Sequence, residues 1–173
     1  MNRLSIAVGA AALVCGMGIV GSASAVVSTR DYLSHGNANC HSALPVFDAN
    51  MRHRPMAFAN DSTTASAFVT CDTEHMDNSN GAKFSAVGVY FTNRSSATTS
   101  VNCTLVTGLV PFVTVKFYPK VSTSMPPGVN GLVAWDVSDN AFVKFGFPTV
   151  SCNLPPSVEI NIMRFEFEEE IGA

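Results

Sequence analysis

The residues of this sequence whose types and spacing could do chemistry are its cysteines, its acidic runs and a few aromatics. Cys40, Cys71, Cys103 and Cys152 lie thirty or more residues apart. Zinc sites use close pairs such as Cys-x-x-Cys or His-x-x-x-His. Here His35, His41, His53 and His75 sit in polar stretches instead, so the spacing reads as disulfides and not as a metal centre. An even set of four makes two bridges with three possible pairings. Loop entropy does not choose among them: a 40–71 closure and a 40–152 closure differ by only about 1 kcal/mol.

Glu166 and Glu168 sit two apart and would share one face of a strand, about 6.5–7 Å apart, within reach of paired-carboxylate glycoside chemistry. Four glutamates between 166 and 170 nevertheless read as a solvated acidic edge. Asp72, Glu74 and Asp77, with Asn78, Ser79 and Asn80, place oxygen donors before Gly81 and so form a candidate calcium loop. The bidentate glutamate that closes such loops is missing at the expected spacing, and the segment reads as a hydrophilic connection. There is no Gly-x-Ser-x-Gly elbow, His-Glu-x-x-His pair or glycine-rich phosphate loop. No catalytic residue and no cofactor are therefore assigned. Tyr90 and Tyr118 fall on the polar parity of their strands, where rings can stack on sugars, and form the candidate ligand-binding pair.

The compartment follows from the first twenty-five residues. Met1-Asn2-Arg3 is a short basic start, Leu4 to Val20 is apolar and uncharged, and Gly21-Ser22-Ala23-Ser24-Ala25 ends in an Ala-x-Ala pattern. This pattern predicts a signal peptide cleaved after Ala25 and hence a secreted or periplasmic product. The apolar run is too short, and lacks the basic stop, for a retained anchor. A lipidated Cys15 is disfavoured because Val14 precedes it. Cleavage removes Cys15 and leaves residues 26–173, one ordinary domain. It also lowers the ten basic residues to nine against thirteen acidic ones, a net charge near −4. That balance argues against a nucleic-acid partner. Arg52-His53-Arg54 is the one basic cluster and reads as a solvated turn. No further window is long and apolar enough for a membrane span.

Residue alternation predicts the elements that position these groups. Val87, Val89 and Phe91, then Val101, Cys103 and Leu105, read as a β-hairpin around Asn93–Ala97. Val113, Val115 and Phe117 form a strand closed by Pro119. Val133, Trp135 and Val137 form a core face, and Val143, Phe145 and Phe147 return until Pro148. Cys71, Cys103 and Cys152 share faces with apolar neighbours and point into a core. In the last strand Val158, Ile160 and Ile162 have one parity and Phe165 and Phe167 the other, which predicts a β-bulge near Met163–Arg164. Glu166, Glu168, Glu169 and Glu170 then face solvent and guard an edge. Val26 to Ala38 shows no helical period and predicts at most a short turn. The sum is an antiparallel β-sandwich of about seven to eight strands with two disulfides, a closed barrel being the runner-up.

Phe68-Val69-Thr70-Cys71, Val101-Asn102-Cys103-Thr104-Leu105 and Ser151-Cys152-Asn153-Leu154-Pro155-Pro156 resemble motifs of a group of small exported bacterial proteins without an assigned activity. The resemblance implies a β-rich, disulfide-bonded exported domain and supplies no catalytic residues. The likeness to pilin subunits, another exported sandwich, fails at Glu168–Ala173, which lack the alternating apolar strand pilins use for assembly. The sequence thus reads as a non-catalytic structural or interaction domain. The alternatives are a carbohydrate-binding or adhesive module, with a glycan or protein partner, and a hydrolase without a recognisable motif.

Overall fold

The computed structural model describes residues 26–72, 83–108, 115–139 and 148–171. Among these described residues eleven strands build two antiparallel sheets: β1 (Val26–His35), β2 (Cys40–Ser42), β3 (Met51–Arg54), β4 (Ala57–Asn60), β5 (Ala67–Cys71), β6 (Lys83–Asn93), β7 (Asn102–Thr107), β8 (Lys116–Val121), β9 (Asn130–Asp136), β10 (Thr149–Leu154) and β11 (Val158–Ile171). One sheet has the order β3-β4-β11-β6-β9, with β1 beside the later half of β11. The other runs β2-β5-β10-β7-β8. The expected sandwich is borne out and the barrel is not, since neither sheet closes on itself. No helix among the described residues is long and apolar enough to cross a membrane.

Strict alternation explains the packing, because one face of each sheet must leave water. Phe58, Phe84, Val87, Phe91, Trp135, Met163 and Phe165 point inward from the six-stranded sheet and are fully buried. Val69, Val150, Cys152, Cys103, Leu105 and Leu154 meet them from the other sheet. Trp135 sits in this core as expected, and its indole Nε1–H donates to the Tyr118 carbonyl at 2.8 Å, tying β9 to β8 across the sandwich.

Several expectations are corrected. More strands form than the seven or eight predicted, because short β2, β3 and β4 carry too few residues for alternation to register. Val26–His35 is a ten-residue strand paired to β11 rather than a turn; its polar composition suits a half-exposed position. Arg52-His53-Arg54 lies on β3 rather than in a turn. The phase slip in β11 occurs between Ile160 and Ile162, with Asn161 as the extra residue, ahead of the predicted place. Met163 joins Phe165 on the core face, and Ile162 turns to the other. A second shift opposite Glu166–Phe167 leaves Ser85 extra on β6, so that Phe84 and Val87 both reach the core. β11 is interior, with β1 on one side and β6 on the other, so its glutamates line a paired strand rather than an edge.

The predicted hairpin is an arch. β6 and β7 belong to different sheets, although each buries alternate residues as foreseen. Asn93, buried at the end of β6, donates from Nδ2 to the carbonyls of Ala97 and Met125, and its Oδ1 accepts from the Ser95 amide and hydroxyl. That side chain replaces the ladder a hairpin would have made. Val143, Phe145, Phe147 and Val113 lie outside the described residues, as do residues 1–25.

Candidate functional site

Both disulfides lie within the five-stranded sheet. Cys40 of β2 bonds Cys71 of β5, and Cys103 of β7 bonds Cys152 of β10, each pair directly opposite with Cα atoms 4.1 Å apart. All four half-cystines are buried on the core side. Between β5 and β10 the register places Val69 opposite Cys152. Four of the five strands of this sheet are therefore covalently linked in neighbouring pairs.

Alternation then dictates the outer face. Phe68 of β5 stands opposite Asn153 of β10, Asn153 opposite Asn102 of β7, and Asn102 opposite Val121 of β8. The next row carries Thr70, Ser151, Thr104 and Pro119, and beyond it Val106 pairs with Phe117. These residues, Thr70 apart, line a shallow groove of about 510 Å³. Phe68 is 48% exposed and Phe117 66% exposed. Between them lies a floor of amides and hydroxyls with no acidic or imidazole group among its described lining residues. The Asn153 Oδ1 has no hydrogen-bond partner. Lys120 also borders the groove, but its ammonium is engaged by the Ala134 carbonyl at 2.7 Å and by the Asp139 carboxylate. From strand spacing and rise, the two rings stand roughly 19 Å apart along the diagonal.

The sequence-derived pair does not form. Tyr90 lies on the outer face of the six-stranded sheet, whereas Tyr118 turns toward the core from β8, in register with buried Leu105. The parity of β8 is the reverse of the prediction: Phe117 faces out and Tyr118 in. Pro119 does not close the strand, because β8 is an edge strand, where a proline is tolerated. Phe68 was legible, since it alternates with Val69 and Cys71 on a strand the sequence marks plainly; Phe117 was hidden by the inverted phase.

The remaining candidates separate. Glu166 accepts from the Ser85 hydroxyl at 3.1 Å and pairs with Arg164 at 3.3 Å. Arg164 also holds Asp31 at 2.8 Å, and that pairing raises its pKa. Arg30 reaches Glu169 at 2.6 Å. Asp136 is held below the usual carboxylate range by hydrogen bonds from the Ser138 hydroxyl and amide. It is therefore ionised at neutral pH and unsuited to donate a proton. Of the calcium candidates, Glu74 and Asp77 lie outside the described residues, and the Asp72 amide donates to the Asn39 carbonyl at 3.1 Å. No group of three or more His, Cys, Asp or Glu able to hold a metal occurs among the described residues.

No protein family matches the sequence, and no curated protein is similar to it. The chain is similar in structure to an exo-β-1,3-galactanase from Phanerochaete chrysosporium solved with galactose, with TM-score 0.41 and 11% identity over 79% of this chain. It spans 29% of the length of that galactanase chain. It is also similar to a family 11 carbohydrate-binding module from Clostridium thermocellum in complex with a mixed-linked tetrasaccharide, with TM-score 0.38 and 8% identity over 91% of this chain and 92% of the module. A CBM4 structure follows at TM-score 0.35 and 6% identity, over 81% of this chain and 86% of that one.

Proposed function

We propose that this protein is an exported, non-catalytic domain that binds a neutral glycan along the outer face of the five-stranded sheet. The observation that carries the reading is the pairing of two exposed phenylalanines with an uncharged hydrogen-bonding floor between them. A large apolar ring left in water forgoes about 1.5–3 kcal/mol of burial, which a ligand lying against it can recover. A sugar chain presents alternating C–H faces and hydroxyls. Phe68 and Phe117 would cover the former, while Asn102, Thr104, Ser151 and Asn153 would exchange their water for the latter. The absence of acidic or imidazole groups from the described lining favours binding over hydrolysis. Export is supported by the two disulfides, which persist in oxidising compartments, and by the signal pattern ending at Ala25.

The test is affinity electrophoresis of the oxidised protein through gels containing soluble neutral polysaccharides. Wild-type retardation by at least one polymer is expected, with roughly tenfold weaker binding for Phe68→Ala and for Phe117→Ala. Thermal unfolding of both variants should stay close to wild type. Full retardation of the double variant would sink the assignment of this face. Export is tested separately by sequencing the N-terminus of the secreted protein, which should begin at Val26.

A further inference from the structure

On the opposite sheet, Gly88 lies in the middle of β6 with Arg164 of β11 on one side and Ala134 of β9 on the other. Glycine weakens a strand interior, and one placed there often marks a close approach by a ligand or another backbone. Neither the backbone nor the packing requires it. Its φ is not among the positive ones. A methyl group built on it would rest 3.5 Å from Leu132 Cδ1 and 3.8 Å from Arg164 Cβ and Tyr90 Cε2, which is ordinary contact. Gly36 and Gly131 differ, because a methyl group there would run into the Ile160 carbonyl and the Met125 sulfur.

Gly88 floors a depression of about 260 Å³ on the outer face, the volume of roughly nine waters. Ala86 and Ala134 extend the floor, and Tyr90 with Leu132 bounds one end. Glu166 and Asp136 stand on either side of Ala86, in register with it from β11 and β9. Their Cα atoms are thus two strand spacings apart, about 10 Å. Arg164, the single cation among the described lining residues, is already taken by Asp31 and Glu166. Asp136 accepts from the Ser138 amide and hydroxyl and feels the Lys120 ammonium only through space, so the described rim sets the carboxylates of Asp136 and Glu166 against Arg164 and carries an excess of negative charge.

We infer that this depression is a second binding site, independent of the groove, for a single hydroxylated ring bearing an ammonium group, such as a hexosamine. A floor two strands wide takes a flat body rather than an alkyl chain. The ring of Tyr90 and the carboxylates of Asp136 and Glu166 favour a cation over a neutral or anionic sugar.

The probe is glucosamine, titrated into the folded oxidised protein at low salt and followed by amide chemical shifts, with glucose and N-acetylglucosamine as controls. Saturable shifts at Gly88, Tyr90 and Ala134 are expected, roughly tenfold weaker with either control. Asp136→Asn should weaken the glucosamine response by a similar factor. Gly88→Val should abolish it, and Gly88→Ala should weaken it while unfolding at the same temperature as wild type or higher. The Phe68→Ala/Phe117→Ala variant should bind glucosamine unchanged, so failure of the groove and failure of this site are separable. Equal response to glucose, no saturation at tens of millimolar, or a destabilised Gly88→Ala would each overturn the inference.

Discussion

Removing the Cys103–Cys152 bridge tests the link between the stapled sheet and its outer face. The bridge spans a separation of 49 residues and Cys40–Cys71 one of 31. Loop-closure entropy then assigns about 4.1 kcal/mol to the first and about 3.7 kcal/mol to the second. The two loops do not overlap in sequence, so the terms add to about 8 kcal/mol, a large part of the 5–15 kcal/mol that holds a typical domain together. Urea unfolding of Cys103→Ala/Cys152→Ala should show the first loss, with a melting temperature lower by about 8–16 °C. The chain with all four cysteines replaced should be largely unfolded. Cys103 also borders the groove, and Asn102, Thr104, Ser151 and Asn153 are its neighbours or those of Cys152. Affinity for the glycan should therefore fall in Cys103→Ala/Cys152→Ala even at temperatures where it is fully folded, because the floor is no longer pre-organised. A stability loss below about 1 kcal/mol would refute the entropy argument. Unchanged affinity in a folded variant would refute the link between bridge and groove.

Asn93→Ala should cost about 2–4 kcal/mol in urea unfolding, because it removes four hydrogen bonds made by one buried side chain, to the Ala97 and Met125 carbonyls and from the Ser95 amide and hydroxyl, whereas Thr98→Ala in the same arch should stay within about 0.5 kcal/mol. Trp135→Phe deletes the 2.8 Å bond to Tyr118 and leaves a void, and should cost about 1–3 kcal/mol by the same measurement. Ser138→Ala should raise the Asp136 pKa toward its ordinary value in an NMR titration, since the hydroxyl is the largest cause of the depression. Because the folded-state pKa is the lower one, Asp136 stabilises above its unfolded pKa and this contribution is lost as pH falls through the folded value. The stability difference between Ser138→Ala and wild type should accordingly be present at neutral pH and vanish in strong acid.

Much of the fold was legible because alternation is a local consequence of the pleat. Val69, Val87, Val89, Phe91, Cys103, Leu105, Trp135, Val150 and Cys152 all face the core as their parity required. What alternation does not encode is the partner of a strand, since an arch and a hairpin bury the same residues. The difference rests on Asn93, whose side chain completes hydrogen bonds to Met125, more than thirty residues away. The parity of β8 is not encoded locally, since Phe117 is a core residue by type; only pairing with β7, which sets Leu105 against Tyr118, fixes which way each points. The bulge in β11 was foreseen in kind and misplaced in position. Ile162 is apolar enough to belong to either face, and its neighbours on β1 and β6 decide.

The two sheets contribute unequally to the core, and this bears on where binding should occur. The six-stranded sheet supplies Phe58, Phe84, Phe91, Trp135, Met163 and Phe165, whereas the five-stranded sheet supplies mainly valines, leucines and half-cystines. At about 25 cal/mol per Å² of apolar surface buried, the second sheet gains less from packing, and it is the one that carries both covalent bridges. The first sheet relies instead on aromatic packing, with Phe84 and Phe165 rings 6.0 Å apart. Its surface ion pairs, such as Arg30–Glu169, add little at their exposure. Moving Phe68 and Phe117 inward would have strengthened the poorer sheet, yet both are turned to solvent. The five-stranded sheet is thus short of buried aromatic surface while Phe117 stands in solvent and Phe68 packs against Phe47, ring centroids 6.1 Å apart, and these are the two features on which the proposed binding of a glycan across the covalently fixed floor rests.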